Sequence, residues 1–167
     1  MANSSDLALA QLSLAAYGDV PAGLPAGFTP LGAEVLAIDP ADGSFAGGVF
    51  RNGNAAALVT AGTVDGLPTL VLAFRGTDDR EDSLNDLRDI NASYGNFAGL
   101  VAAVDAYAAQ AGFAQVAATG HSLGGAMAQL YMAEHPDLPG GVAHEAVTFG
   151  SLARCRRRGR MRGSRIS

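Results

Sequence analysis

The second half of the chain switches repeatedly between two spacings of hydrophobic residues. Residues 69–74 form a continuous apolar run, as expected for a strand covered on both faces, and 115–119 form a second short strand. Apolar residues recur at helical spacing over 97–111 and over 123–131, and a β-branched strand follows at 143–149. This order is typical of parallel crossovers. It predicts an α/β fold with helices on both faces of a mostly parallel sheet, in three layers.

The first half of the chain is less regular. Leucines spaced along the N-terminal segment predict one short amphipathic helix that is capped near Ser5 or Asp6. Glycines and prolines are frequent over residues 18–44, which favours an irregular surface connection. Two strands are predicted at 45–51 and 55–60, because a short Asn-Gly-Asn segment between them is a typical hairpin turn.

A candidate nucleophile lies between the last two predicted strands. Residues 119–125 read Thr-Gly-His-Ser-Leu-Gly-Gly, with glycines two positions either side of Ser122. Such glycines allow a sharp strand-to-helix turn that exposes the serine above the sheet edge. The pattern Gly-x-Ser-x-Gly is common by itself, so the prediction depends on the flanking strand and helix. The alternative is a glycine-rich turn whose serine caps the helix.

Composition limits the class of protein. A chain of 167 residues, 49% of them hydrophobic, is long enough for one domain with a core. No segment approaches the roughly 20 apolar residues of a membrane span. The N-terminal segment carries no basic residue and so does not resemble a secretory signal, which leaves the compartment open. The single cysteine, Cys155, excludes an internal disulfide framework.

Charge is distributed unevenly along the chain. The sequence has no lysine, and seven of its eleven arginines lie within residues 154–167. No nucleic-acid fold or interleaved aromatic residues accompany this basic segment, so we expect no nucleic-acid partner. Acidic residues concentrate over 78–89, where a short exposed helix is predicted at 79–90. Calcium binding is an alternative there, but the spacing of a calcium loop is missing and a solvated acidic face is the simpler interpretation.

Three short segments occur in a fixed order: residues 71–77 (Val-Leu-Ala-Phe-Arg-Gly-Thr), 119–126 (Thr-Gly-His-Ser-Leu-Gly-Gly-Ala) and 146–151 (Ala-Val-Thr-Phe-Gly-Ser). Together they resemble the class 3, fungal-type lipases of the α/β-hydrolase fold. The resemblance implies a serine carboxylic-ester hydrolase that acts on lipid or small ester substrates and contacts a lipid interface. It implies no cofactor and no metal ion.

The resemblance also assigns roles to three residues. Ser122 matches the family's nucleophile, and the oxyanion-hole donors map to Thr77 and to the backbone N–H of Leu123. Thr77 is supported independently, because it ends a buried strand at the carboxyl edge, where open α/β sheets bind ligands. The alternative is that Thr77 only caps the acidic segment that follows it.

No residue of this sequence is expected to serve as the general base that a serine nucleophile needs. His121 adjoins the serine in a strained turn and matches a common family residue, not the base. His135 lies about 20 Å along the following helix, and His144 opens the last strand at the opposite, amino edge of the sheet. The family's acid and histidine follow the strand that ends at Phe149, whereas no Asp, Glu or His occurs after Glu145.

We therefore expect two segments of different origin. Residues 1–151 are predicted to form a partial lipase-like α/β-hydrolase domain that is incomplete at its C-terminus. Residues 152–167 are predicted to be a disordered, arginine-rich tail from outside the family, consistent with a truncated or frame-shifted gene product. The triad acid and histidine would be absent and hydrolysis impaired. A non-catalytic α/β fragment or interaction module is the alternative function.

Overall fold

The computed structural model describes residues 3–19, 21–76, 90–136 and 139–150, and the backbone of 157–158. Within these residues the helices are α1 (Ser4–Ala15), α2 (Ala33–Leu36), α3 (Ile90–Gly95), α4 (Ala98–Gln110) and α5 (Leu123–Glu134). The strands are β1 (Thr29–Pro30), β2 (Ser44–Ala46), β3 (Val49–Asn52), β4 (Ala55–Val64), β5 (Leu67–Phe74), β6 (Gln115–His121), β7 (Ala143–Phe149) and β8 (Arg157–Arg158).

The strands form one mixed sheet. Seven of the described strands follow in the order β2-β3-β4-β5-β6-β7-β8, and β1 pairs with β4. The centre, β5-β6-β7, is parallel, and the remaining pairs are antiparallel. Helix α5 connects β6 to β7, which is the crossover that neighbouring parallel strands require. The predicted α/β class, with an open sheet flanked by helices, is confirmed.

Both faces of the sheet are buried, which explains the apolar run of β5. Leu70, Leu72 and Phe74 pack on the face covered by α4 and α5, whereas Val71 and Ala73 pack on the face covered by α1. This division follows from the alternation of side chains along a strand. None of the helices in the described ranges is long and apolar enough to cross a membrane.

The first half contains more regular structure than the sequence predicted. The predicted strand 45–51 is two strands, because Gly47 and Gly48 have φ of 60° and 85° and turn the chain between β2 and β3. A second tight turn at Asp65 and Gly66, with φ of 51° and 78°, connects β4 to β5. The segment 18–44, predicted to be irregular, contains α2 and β1.

The elements around the candidate nucleophile match their predictions closely. Helix α4, strand β6, helix α5 and strand β7 all have the predicted type and nearly the predicted bounds. The predicted acidic helix over 79–90 lies outside the described residues up to position 89. Most of the predicted tail, 152–167, also lies outside them; its described part, β8, pairs with Glu145 and Ala146 of β7.

Candidate active site

Ser122 is the single residue between strand β6 and helix α5. Its backbone has a conformation that residues other than glycine rarely adopt. Its φ is 55° and its ψ is −122°, which corresponds to the first central position of a type II′ turn. Its N–H donates a hydrogen bond of 3.1 Å to the carbonyl oxygen of Phe149, the last residue of β7. The residue is half-buried. Strand β6 is therefore joined to helix α5 by a sharp turn at this single residue.

The geometry of Ser122 differs from that of an ordinary helix cap. Asn3 caps α1 in the usual way: its backbone is extended, and its Oδ1 accepts a hydrogen bond of 3.3 Å from the N–H of Ser5. Ser122 has a positive φ, and its hydroxyl makes no capping hydrogen bond to α5. The capping alternative for this serine is therefore not supported, and the hydroxyl has no part in holding the helix end.

The turn needs glycine on both sides of Ser122, because the neighbouring backbone leaves no room there for a Cβ. A Cβ on Gly120 would overlap the backbone of Gly124, and a Cβ on Gly124 would overlap the carbonyl oxygen of Phe74 in β5. A Cβ on Gly76 would overlap the carbonyl oxygen of His121. The start of α5 is thus pressed against β6 and against the end of β5. This close contact over-determines the strained backbone at position 122.

Of the two predicted oxyanion donors, Leu123 and Thr77, the structure describes only Leu123. Leu123 is the first residue of α5, so its N–H is among the four that have no acceptor within the helix. Thr77 lies outside the described residues; Gly76, directly before it, is buried beside the turn. Leu123 and Gly76 both line an open cavity of about 340 Å³, together with Arg75, Phe97 and Met127. This volume is at the lower end of the range of small-molecule sites.

All three histidines of the sequence are among the described residues. Nδ1 of His121 lies 3.2 Å from the hydroxyl oxygen of Tyr17, and its Nε2 lies against Gly150. His144 pairs with Val116 at the start of β6, whereas Phe149 pairs with His121 at its end, so His144 lies about 16 Å along the strands from the turn. Among the described residues, no imidazole forms a hydrogen bond with the Ser122 hydroxyl.

His135 is the third histidine, and it is held far from Ser122. Its Nε2 lies 2.7 Å from Oδ2 of Asp105, and its Nδ1 lies 2.6 Å from the carbonyl oxygen of Tyr131. Burial lowers the pKa of His135, but the hydrogen bonds with Asp105 and Tyr131 and the nearby negative charges outweigh it, so the pKa is raised above its usual value. The ring therefore lies beside Asp105, at the opposite edge of the sheet from Ser122.

Comparison with known proteins gives a match in structure alone. No protein-family model matches the sequence, and no curated protein matches it. The Rhizomucor miehei lipase in its propeptide complex matches with 23% identity and a TM-score of 0.57, over 90% of this chain and 54% of that chain. The Lip2 lipase from Yarrowia lipolytica matches with 21% identity and a TM-score of 0.55, over 88% and 56%. A lipase from Rhizopus microsporus var. chinensis matches with 19% identity and a TM-score of 0.50, over 90% and 59%.

The chain has the α/β-hydrolase fold of fungal lipases. At these identities the similarity shows the fold alone, and the chain spans about half the length of the lipases it matches. Within this lipase fold, the Ser122 turn lies at the carboxyl ends of the central parallel strands. Ligands bind at that edge in open α/β sheets.

Two features of the lipase-fold structure were missed by the sequence analysis. Tyr17, which follows α1, packs edge-on against His121, and its hydroxyl also lies 3.3 Å from the carbonyl oxygen of His121. The second feature is the cluster of Asp105, His135 and His144 at the amino edge. The contact between Tyr17 and His121 joins elements that are distant along the chain, so local patterns carry no signal for that pairing.

Proposed function

We propose that this protein is a lipase-type serine carboxylic-ester hydrolase with Ser122 as its nucleophile and lipid or small esters as its substrates. The observation that carries the proposal is the backbone of Ser122: a positive φ at a strand-to-helix turn, with a hydroxyl that caps nothing. Strained conformations of this kind are retained where they position a reacting group. The fold shared with fungal lipases supports the same reaction class.

The proposed chemistry is acyl transfer through an acyl-enzyme. The Oγ of Ser122 attacks the ester carbonyl carbon, the alcohol leaves, and water then releases the acid. Negative charge develops on the carbonyl oxygen, where the N–H of Leu123 and Thr77 would donate hydrogen bonds. The N-terminus of the 12-residue helix α5 adds a favourable dipole. Loss of one such donor typically slows catalysis by about 10²–10³-fold.

A general base is the missing part of this proposal. His121 contacts Tyr17, His135 contacts Asp105, and His144 lies at the far edge of the sheet. We therefore propose that this chain alone hydrolyses esters weakly, and that residues 1–151 form a partial catalytic domain followed by a tail at 152–167. The positions of the three histidines also favour the second candidate, a non-catalytic α/β module.

Labelling with a fluorophosphonate probe tests the nucleophile. The folded chain should be labelled, Ser122→Ala should not, and Ser44→Ala, at an exposed position of β2, should be labelled like the parent. No labelling of the parent chain, with native circular dichroism, would favour the non-catalytic module.

Added imidazole tests the missing base. If the site lacks only a base, millimolar imidazole should accelerate hydrolysis of p-nitrophenyl butyrate by the parent chain above the rate that imidazole gives with Ser122→Ala. Equal rates for the two proteins would contradict the proposal that Ser122 is a nucleophile that lacks only a general base.

A further inference from the structure

Three metal-ligating side chains from separate parts of the chain converge at the amino edge of the sheet, opposite Ser122. Asp105 lies on α4, His135 directly follows α5, and His144 is the second residue of β7. One ligand atom from each residue lies within 4.8 Å of the other two, and all three side chains are half-buried. We propose that Asp105, His135 and His144 bind a divalent transition-metal ion, and that Zn²⁺ fits this site best.

The contacts of His135 require a proton or a metal ion between its ring and Asp105. Nδ1 of His135 lies 2.6 Å from the carbonyl oxygen of Tyr131, which only accepts, so the proton must be on Nδ1. In a neutral ring Nε2 then carries a lone pair, and it faces Oδ2 of Asp105 at 2.7 Å. Two acceptors repel each other at that distance. A proton, on the ring or on the carboxyl of Asp105, or a metal ion must therefore lie between them.

His144 favours the metal ion over the proton. A proton bridges only two groups, whereas a metal ion binds three or more. The ring of His144 lies 4.8 Å from the ring of His135, centroid to centroid, so it can supply the third ligand. Two imidazoles and one carboxylate form a ligand set typical of Zn²⁺ and other first-row divalent ions. A metal-bound histidine also commonly donates its other N–H to a backbone carbonyl, which is the role of Tyr131 here.

The cluster can reach coordination geometry with small side-chain movements. Ligand atoms about 2.1 Å from a tetrahedral Zn²⁺ lie about 3.4 Å from one another. The separation of His135 Nε2 and Asp105 Oδ2 must open from 2.7 Å, and the longest separation must shorten from at most 4.8 Å. His135 can adjust because it lies just beyond the last helical residue of α5. A cavity of about 350 Å³ lined by Asp105 and His135 leaves room for water as the fourth ligand.

The bound ion would fasten α4, the end of α5 and the start of β7 to one another. The experiment uses the full chain, stripped of metal with EDTA and titrated with Zn²⁺ by calorimetry. We expect one ion per chain. At 100 times the dissociation constant, Zn²⁺ should raise the Tm by about 5–10 °C. Asp105→Asn should weaken binding roughly tenfold or more, whereas Glu34→Gln, an exposed carboxyl on α2, should bind like the parent.

A ligand exchange keeps the test informative if a variant loses stability. In a Cys155→Ser background, His144→Cys retains a zinc ligand, so Co²⁺ should bind and produce a thiolate-to-cobalt charge-transfer band. His144→Ala should lack both the band and tight binding. Absence of Zn²⁺ binding by the folded parent would mean that a proton fills the gap and would overturn the proposal. Unchanged affinity in Asp105→Asn and His144→Ala would overturn it as well, because the ion would then bind elsewhere.

Discussion

Replacing Ser122 with glycine should stabilise the fold while removing the nucleophile. Holding a non-glycine residue at φ 55° and ψ −122° costs roughly 1–3 kcal/mol. Glycine adopts this conformation freely, but its greater freedom in the unfolded chain costs about 0.5–1 kcal/mol. The serine hydroxyl makes no capping bond that would be lost. The difference predicts that Ser122→Gly raises the free energy of unfolding by roughly 0.5–2 kcal/mol.

Urea unfolding followed by far-ultraviolet circular dichroism measures this difference, provided that the m-value is unchanged. In a thermal scan, each kcal/mol corresponds to about 2–4 °C in Tm for a chain of this size. Ser122→Ala is the matched control: it removes the hydroxyl but keeps the Cβ, so the strain and the stability should stay as in the parent. Ser44→Gly, in the exposed strand β2, should lose stability, because glycine there brings only its entropic cost.

The urea midpoints of Ser122→Gly and Ser122→Ala together test whether the backbone at position 122 is strained. A Ser122→Gly chain that unfolds at the same urea concentration as Ser122→Ala would show that the strain at position 122 is no larger than the entropic cost of glycine, about 0.5–1 kcal/mol. The argument that the turn is retained for a reacting hydroxyl would then lose its basis.

The remaining predictions concern packing and pH. Gly124→Ala should lower the free energy of unfolding by roughly 1–3 kcal/mol, because its Cβ would overlap the carbonyl oxygen of Phe74. Gly95→Ala, where a Cβ meets nothing within 4 Å, should be neutral or slightly stabilising in the same urea assay; equal losses would contradict the packing argument. Burial raises the pKa of both Tyr94 and Tyr131; the carboxylate of Glu134 raises that of Tyr94 further, and the carboxylate of Asp105 raises both. The folded state therefore keeps these protons after the unfolded chain has released them, so stability should fall as pH rises above about 10. Tyr131→Phe should flatten that fall in urea midpoints measured from pH 9 to 11, and an unchanged slope would argue against the raised pKa.

The centre of the fold could be predicted from sequence because its patterns are local. Strand β5 reads as a buried strand, and the glycines around Ser122 indicate the turn, since each signal lies within a few residues. The hairpins of the first half were partly missed. Gly47 and Gly48 divide a continuous predicted strand, and only the positive φ of both residues shows that they form a turn.

The site at the amino edge was within reach of the sequence but was not found. His144 was correctly placed at the start of β7, and His135 was correctly placed at the far end of α5. A helix that follows a parallel strand returns to the strand's starting edge, so both rings must lie at the same edge. The sequence analysis considered only the distance of each histidine from Ser122, and not the distance between the two histidines. Asp105 could not have been added, because its position depends on how α4 packs against α5.

The hydrogen bond from the N–H of Ser122 to the carbonyl of Phe149 makes one amide a reporter of the whole turn. That amide can exchange with deuterium only when the end of β7 separates from the turn, and the same separation would let residue 122 relax to an ordinary conformation. Its exchange rate therefore reports how readily the turn at Ser122 opens. If this amide exchanges as slowly as those of β5 and β6, the turn opens only when the whole molecule unfolds.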